Sequence, residues 1–170
     1  MPQIFGTNKF RLYLAFYRRG QVKQGDARFH TSILVLPKEP DMKRKSGRRY
    51  HVKNLVVGDG QVQWVYDTND VQPRTDKLVA LLFVGKVTSK SNLDATLEDP
   101  DQVVIVQDDP GWRCRHWVWN AMNVCLGFLS LTQNRRESFS DTIRSCVTKA
   151  SSTLIKQQKT FPQKTCGMLE

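Results

Sequence analysis

Cys114 stands two residues before His116 in "GWRCRHWVWNAM" (111–122), directly behind Asp108-Asp109-Pro110-Gly111. That break predicts a helix opening close to Cys114. A thiol in a first helical turn gains from the helix dipole and from backbone N–H groups without partners, and both favour the thiolate. Arg113 and Arg115 flank it and would favour the anion further. These are the conditions of a nucleophilic cysteine, and the same N–H groups could hold an oxyanion formed on an attacked carbonyl. The competing reading is packing. Cys114 lies four residues before Val118 and could be a small apolar residue on a buried face, the role that suits Cys125 and Cys146.

A thiol catalyst needs a base near neutral pH, and imidazole is the natural one. His30 opens one apolar run, "HTSILVLP", and His51 sits at the corresponding point of the next, "YHVKNLVV". If those strands pair, one ring could orient the other; otherwise two histidines merely terminate strands. Asn54, on the strand of His51, is the alternative third residue, although strand alternation turns it to the other face. His116 points to a different helix face from Cys114 and reads as a packing or hydrogen-bonding residue.

The elements that must position these groups follow from periodicity. Strands are expected at 11–17, 28–37, 50–57 and 61–67, with Gly58-Asp59-Gly60 as a hairpin turn between the last two. "LVALLFVGKV" (78–87) reads as a central buried strand and "QVVIVQ" (102–107) as another. From Trp112 to Leu131 the period becomes helical, with a stripe of Val118, Ala121, Met122, Cys125, Leu126 and Leu129. A second helix is expected over about 138–158, opened by Ser138 and Asp141 in a capping-box-like arrangement. The expected class is α+β, an antiparallel sheet with helices packed on it, in one domain over 11–158 between a flexible 1–10 and a tail at 159–170. At 170 residues such a chain can bury a sizeable core.

The order of these residues resembles the circularly permuted papain-like fold of the lecithin:retinol acyltransferase and NlpC-type cysteine enzymes. In "FHTSILV", "RYHVKN" and "RCRHWV" a histidine opens one strand, a second histidine follows on the next, and a cysteine opens a helix. The resemblance implies Cys114 as nucleophile, His30 as base and His51 as the residue that orients it. It matches Cys114, His116, Trp117 and Val118 in register. Arg113 stands where that family carries Asn, and Ser32 where a small apolar residue is usual. The chain is also similar to an uncharacterised family of small fungal proteins through "RLYLAFY", "YHVKN", "GKV" and the helix start at Trp112, over most of 10–130.

The formal charge of +10 points to contact with something anionic. Lys38, Lys43, Arg44, Lys45, Arg48 and Arg49 crowd the segment between the two histidines and could bind phosphate or an acidic partner; a solvated charged loop is the plainer alternative. No glycine-rich phosphate loop and no RNA-binding signature is present, and three histidines with four scattered cysteines make no zinc pattern. No cofactor or metal is expected. The start "MPQIFGTNKF" is not a signal peptide, and the longest apolar run is too short to span a bilayer, so an intracellular, cytoplasmic location is expected. The function expected is cysteine-dependent acyl transfer, as hydrolase or transferase, on a small-molecule or peptide acyl substrate. The alternative is an inactive papain-like module that binds nucleic acid or an acidic partner through the basic segment.

Overall fold

In a computed structural model, residues 9–20, 29–58 and 60–130 are described. The helix expected at 138–158, Cys146, Cys166, the tail, and the basic residues from Arg135 onward lie outside them. Six strands form one antiparallel sheet: β1 (Phe10–Arg18), β2 (Phe29–Pro37), β3 (Gly47–Val57), β4 (Gln61–Val71), β5 (Leu78–Val87) and β6 (Leu129–Ser130), in the order β4-β3-β2-β1-β5-β6. Two helices complete the described fold, α1 (Lys90–Glu98) and α2 (Cys114–Cys125). The class is α+β.

Strand alternation divides the sheet's side chains between two faces. Leu12, Leu14, Phe16, Ile33, Val35, Tyr50 and Val52 form the main core with Trp117, Val118, Ala121 and Met122 of α2 and with Leu93 and Leu97 of α1. The opposite face carries a smaller cluster of Ala15, Tyr17, Leu34 and Leu36. β1 and β2 are therefore the strands buried on both sides.

The β3–β4 hairpin forms at the expected turn, where Gly60 takes φ +78 and the Gln61 N–H donates to the Gly58 carbonyl. It runs eleven residues on each strand, farther than the apolar alternation, and takes in Arg48 and Arg49. Those two arginines are thus strand residues and not part of the loop.

Three elements differ from expectation. Residues 102–107 form no strand: Val103 is buried, whereas Val104 and Val106 face out. The Gln107 side-chain amide instead donates to the Trp64 carbonyl and accepts from the Trp64 N–H, so one side chain does at the β4 edge what a ladder would have done. β5 is not fully buried, because its outer neighbour β6 is only two residues long and Leu81, Leu82 and Phe83 remain exposed. The helix expected to reach Leu131 ends at Cys125, passes through a 3₁₀ turn at Leu126–Phe128 and continues as β6.

α1 is held at its N-cap and at its middle. Ser89 accepts the Asn92 N–H as N-cap, and Asp94 takes hydrogen bonds from Lys90 and from the buried Tyr50 hydroxyl. Burial, with Asp94 close by, raises the Tyr50 pKa, so the phenol stays a donor. Tyr50→Phe removes a buried hydrogen bond to a charged acceptor and is expected to cost about 1.5–3 kcal/mol. Urea unfolding measures it; a loss no larger than that of Tyr13→Phe, at a half-buried tyrosine with no hydroxyl hydrogen bond to a described residue, would contradict the pairing.

Candidate active site

His30 pairs in register with Tyr17, on the face opposite the helices. His51 alternates with Tyr50 and Val52, so it faces the same way. The two rings meet edge to face, with His30 Nε2 2.7 Å from His51 Nδ1. The hairpin sets Asp67 directly opposite His51, and His51 Nε2 lies 3.0 Å from Asp67 Oδ2. Lys53 Nζ (3.1 Å) and Asn69 Nδ2 (3.4 Å) reach the same oxygen. Asn54 is exposed and takes no part.

The chain of bonds has a direction. Burial alone would raise the Asp67 pKa, but the bonds from Lys53 and His51 outweigh it and hold the carboxylate ionised. An ionised carboxylate only accepts, so His51 Nε2 carries the proton. Burial and then Arg49 push His51 down to about 4 against the pull of Asp67, and burial, His51, Arg19 and Arg49 push His30 down to about 3. Both rings are neutral near pH 7. His51 Nδ1 is then a lone pair, His30 Nε2 must donate to it, and His30 Nδ1 is left as an unprotonated base. No described residue hydrogen-bonds to that nitrogen. His30 is one of the residues that line a cavity of about 470 Å³, with Tyr17, Arg18, Arg49 and Thr75–Lys77.

Cys114 opens α2, as the Asp108–Gly111 break predicts: Asp108 sits at φ 58, and the Trp112 N–H closes the turn on the Asp109 carbonyl. It is 1% exposed and packs into the helix-side core. Its sulfur accepts from Arg19 Nη2 at 3.6 Å, and no hydrogen bond joins it to His30 or His51. Arg19 follows β1, and its charge is felt at His30 as well, so thiol and imidazole lie at the same end of the sheet. The flanking arginines behave differently from expectation. Arg113 bonds back to the Pro110 and Trp112 carbonyls, and Arg115 makes no bond to the sulfur. His116 Nδ1 accepts the Arg113 N–H at 3.0 Å, which makes it a helix-capping residue.

The basic segment is also divided by the fold. Arg44 pairs with Asp41, and Arg48 with Glu98 and Asp70, whereas Lys43 and Lys45 project into solvent. Arg49 alone of the group reaches the histidines. Trp64 stacks edge-on against Trp112 and is no free platform for a base. Among the described residues no group of three His, Cys, Asp or Glu side chains is placed to hold a metal ion, and no helix is long and apolar enough to cross a membrane.

Asp67 and Arg19 are the site residues that the sequence reading missed. Asp67 was within reach: a turn at 58–60 sets Val57 opposite Gln61, and six further steps along each strand bring His51 opposite Asp67. Arg19 gave no signal, since it lies just beyond a strand end.

No curated protein and no solved structure matches the chain. A family pattern does match it, over residues 9–160, and the chain belongs to that family, DUF6914, a family of unknown function.

Proposed function

We propose that the protein is a cysteine-dependent acyl-transfer enzyme on a permuted papain-like scaffold, with His30 as its base and Cys114 as its nucleophile. The observation that carries this reading is the Asp67–His51–His30 chain, which leaves Nδ1 unprotonated on a histidine that lines a cavity. A buried relay of this kind has a clear chemical use, since it fixes one tautomer and can stabilise the imidazolium that forms during proton transfer. Arg19 and the α2 N-terminus offer a Cys114 thiolate two sources of positive potential. In the reaction, Sγ gives its proton to His30 and attacks the carbonyl carbon. The leaving group departs with that proton, and a thioester remains. Water, an amine or an alcohol then gives a proton to His30, attacks the thioester and regenerates the thiol. The reading demands that Arg19 release the sulfur and that Cys114 meet His30 when substrate is present.

A second reading, a binding module without catalysis, has its own observation. Cys114 is buried on the helix side of the sheet and the imidazoles face the other side. Iodoacetamide alkylation from pH 4 to 10, read by peptide mass spectrometry, separates the two. Cys125, buried and pushed up to about 12, is the internal control. Acyl transfer predicts that Cys114 alkylates near neutral pH, well ahead of Cys125, and more slowly in His30→Ala. A Cys114 as inert as Cys125 would leave the binding module.

A further inference from the structure

We infer that the cavity beside His30 is a subsite for an oxyanion, a carboxylate or phosphate group, held by Arg49. The inference deepens the acyl-transfer reading, and it rests on that reading only in treating the bound anion as part of a substrate.

Arg49 lies on β3 in register with Leu34, and its guanidinium sits 5.4 Å from the centre of the Tyr17 ring. Among the described residues it makes no ion pair, and its Nε is buried without a hydrogen-bond partner. The neighbouring Arg48 also has a buried Nε without a partner, but its charge is met by Glu98 and Asp70, whereas no described carboxylate lies within ion-pair distance of Arg49. A partly buried cation with an unsatisfied donor is costly, because its lost hydration is not replaced. Here two neutral imidazoles on the same face add no negative charge to offset it.

The rest of the lining points the same way. Arg18 and Lys77 stand at the rim, and the Arg18 N–H donates to the Lys77 carbonyl at 2.7 Å, which ties their segments together. Asp76 is the one carboxylate in the described lining, against Arg18, Arg49 and Lys77. A guanidinium presents a planar fork that suits a carboxylate or phosphate, and the Tyr17 ring beneath holds that plane. A group bound there sits next to His30, so an acyl compound with a nearby negative group would be anchored with its carbonyl beside the base. The sequence had assigned anion binding to the loop at 38–49; the fold moves it to one member of that stretch.

The test uses the full chain and two probes, inorganic phosphate and glutarate, added at constant ionic strength and pH 7 while the His30 ring nitrogens are followed by NMR. At least one probe is expected to shift the His30 signals saturably. Arg49→Gln should weaken that binding by roughly 10- to 100-fold, the usual range for one charge-assisted hydrogen bond. Lys43→Gln with Lys45→Gln should leave it unchanged. Which probe saturates identifies the group. Arg49→Gln should stay folded at pH 7, losing in urea only what its contact with the Tyr17 ring contributes. Overturning results would be no saturable shift with either probe, or equal binding by a folded Arg49→Gln. Cys114→Ala should bind the probe like the wild type. An inert Cys114 in the alkylation experiment would therefore remove the enzyme and leave the subsite.

Discussion

His30→Ala should slow hydrolysis of p-nitrophenyl acetate by about 10²–10⁴-fold, the span that a positioned general base supplies. Exogenous imidazole should restore part of the loss, because the space vacated beside the cavity fits the missing ring. Asp67→Leu should come close to the same loss without touching substrate, acting through His51 as a positioning residue. With no acceptor at position 67, His51 can turn its proton toward His30, and the lone pair on His30 Nδ1 is lost. Asp67→Asn should be far milder. His51, Lys53 and Asn69 all donate to the same oxygen, Oδ2, so an amide oxygen at that place satisfies all three and keeps the tautomer. The three rates, with imidazole nitrogen shifts as a direct record of the tautomer, make a closed test. A His30→Ala rate within about threefold of wild type would end the general-base assignment.

The pairing of the two histidines was legible in the sequence because it depends on local order. Two histidines at matching points of successive strands and a glycine-bounded hairpin determine who faces whom. The side of the sheet was not legible, and the reason is physical. β2 reads "FHTSILVLP", and every residue in it except His30 is buried. A strand covered on both faces carries no two-residue period, so nothing in its composition says whether His30 points toward the helices or away from them. α2 was visible because its apolar residues recur on one side. α1 was missed because only Leu93 and Leu97 are buried along its nine residues, too few to mark a stripe. The stretch at 102–107 has the residue types of a strand and makes no ladder, since a single glutamine amide already satisfies the β4 edge at Trp64. Propensity chose the wrong element there because side-chain hydrogen bonding closed the edge first.

Burying two neutral imidazoles side by side has a consequence for stability that can be measured without any substrate. Both groups have folded-state pKa values below the unfolded value of about 6.5. Above pH 6.5 neither state binds a proton at these sites, and the contribution is fully present. As the pH falls below 6.5 the unfolded chain takes up protons that the folded chain refuses, so stability is lost progressively toward about pH 4 for His51 and about pH 3 for His30. For His51, 5% exposed, a fall from 6.5 to about 4 corresponds to on the order of 3 kcal/mol. The groups facing the pair reinforce the sign: Arg49, Arg19 and Lys53 all disfavour a second positive charge, and only Asp67 opposes them. His116 is also lowered, by burial and then by Arg115, and its Nδ1 is occupied by the Arg113 N–H, so it adds to the same slope. Urea unfolding between pH 7 and 4.5 should therefore show a steep loss in the wild type, a shallower one in His51→Gln, and the shallowest in the His30→Gln, His51→Gln double variant. Equal slopes in all three would mean that the rings are charged and solvated in the folded state, and the base at His30 would lose its foundation.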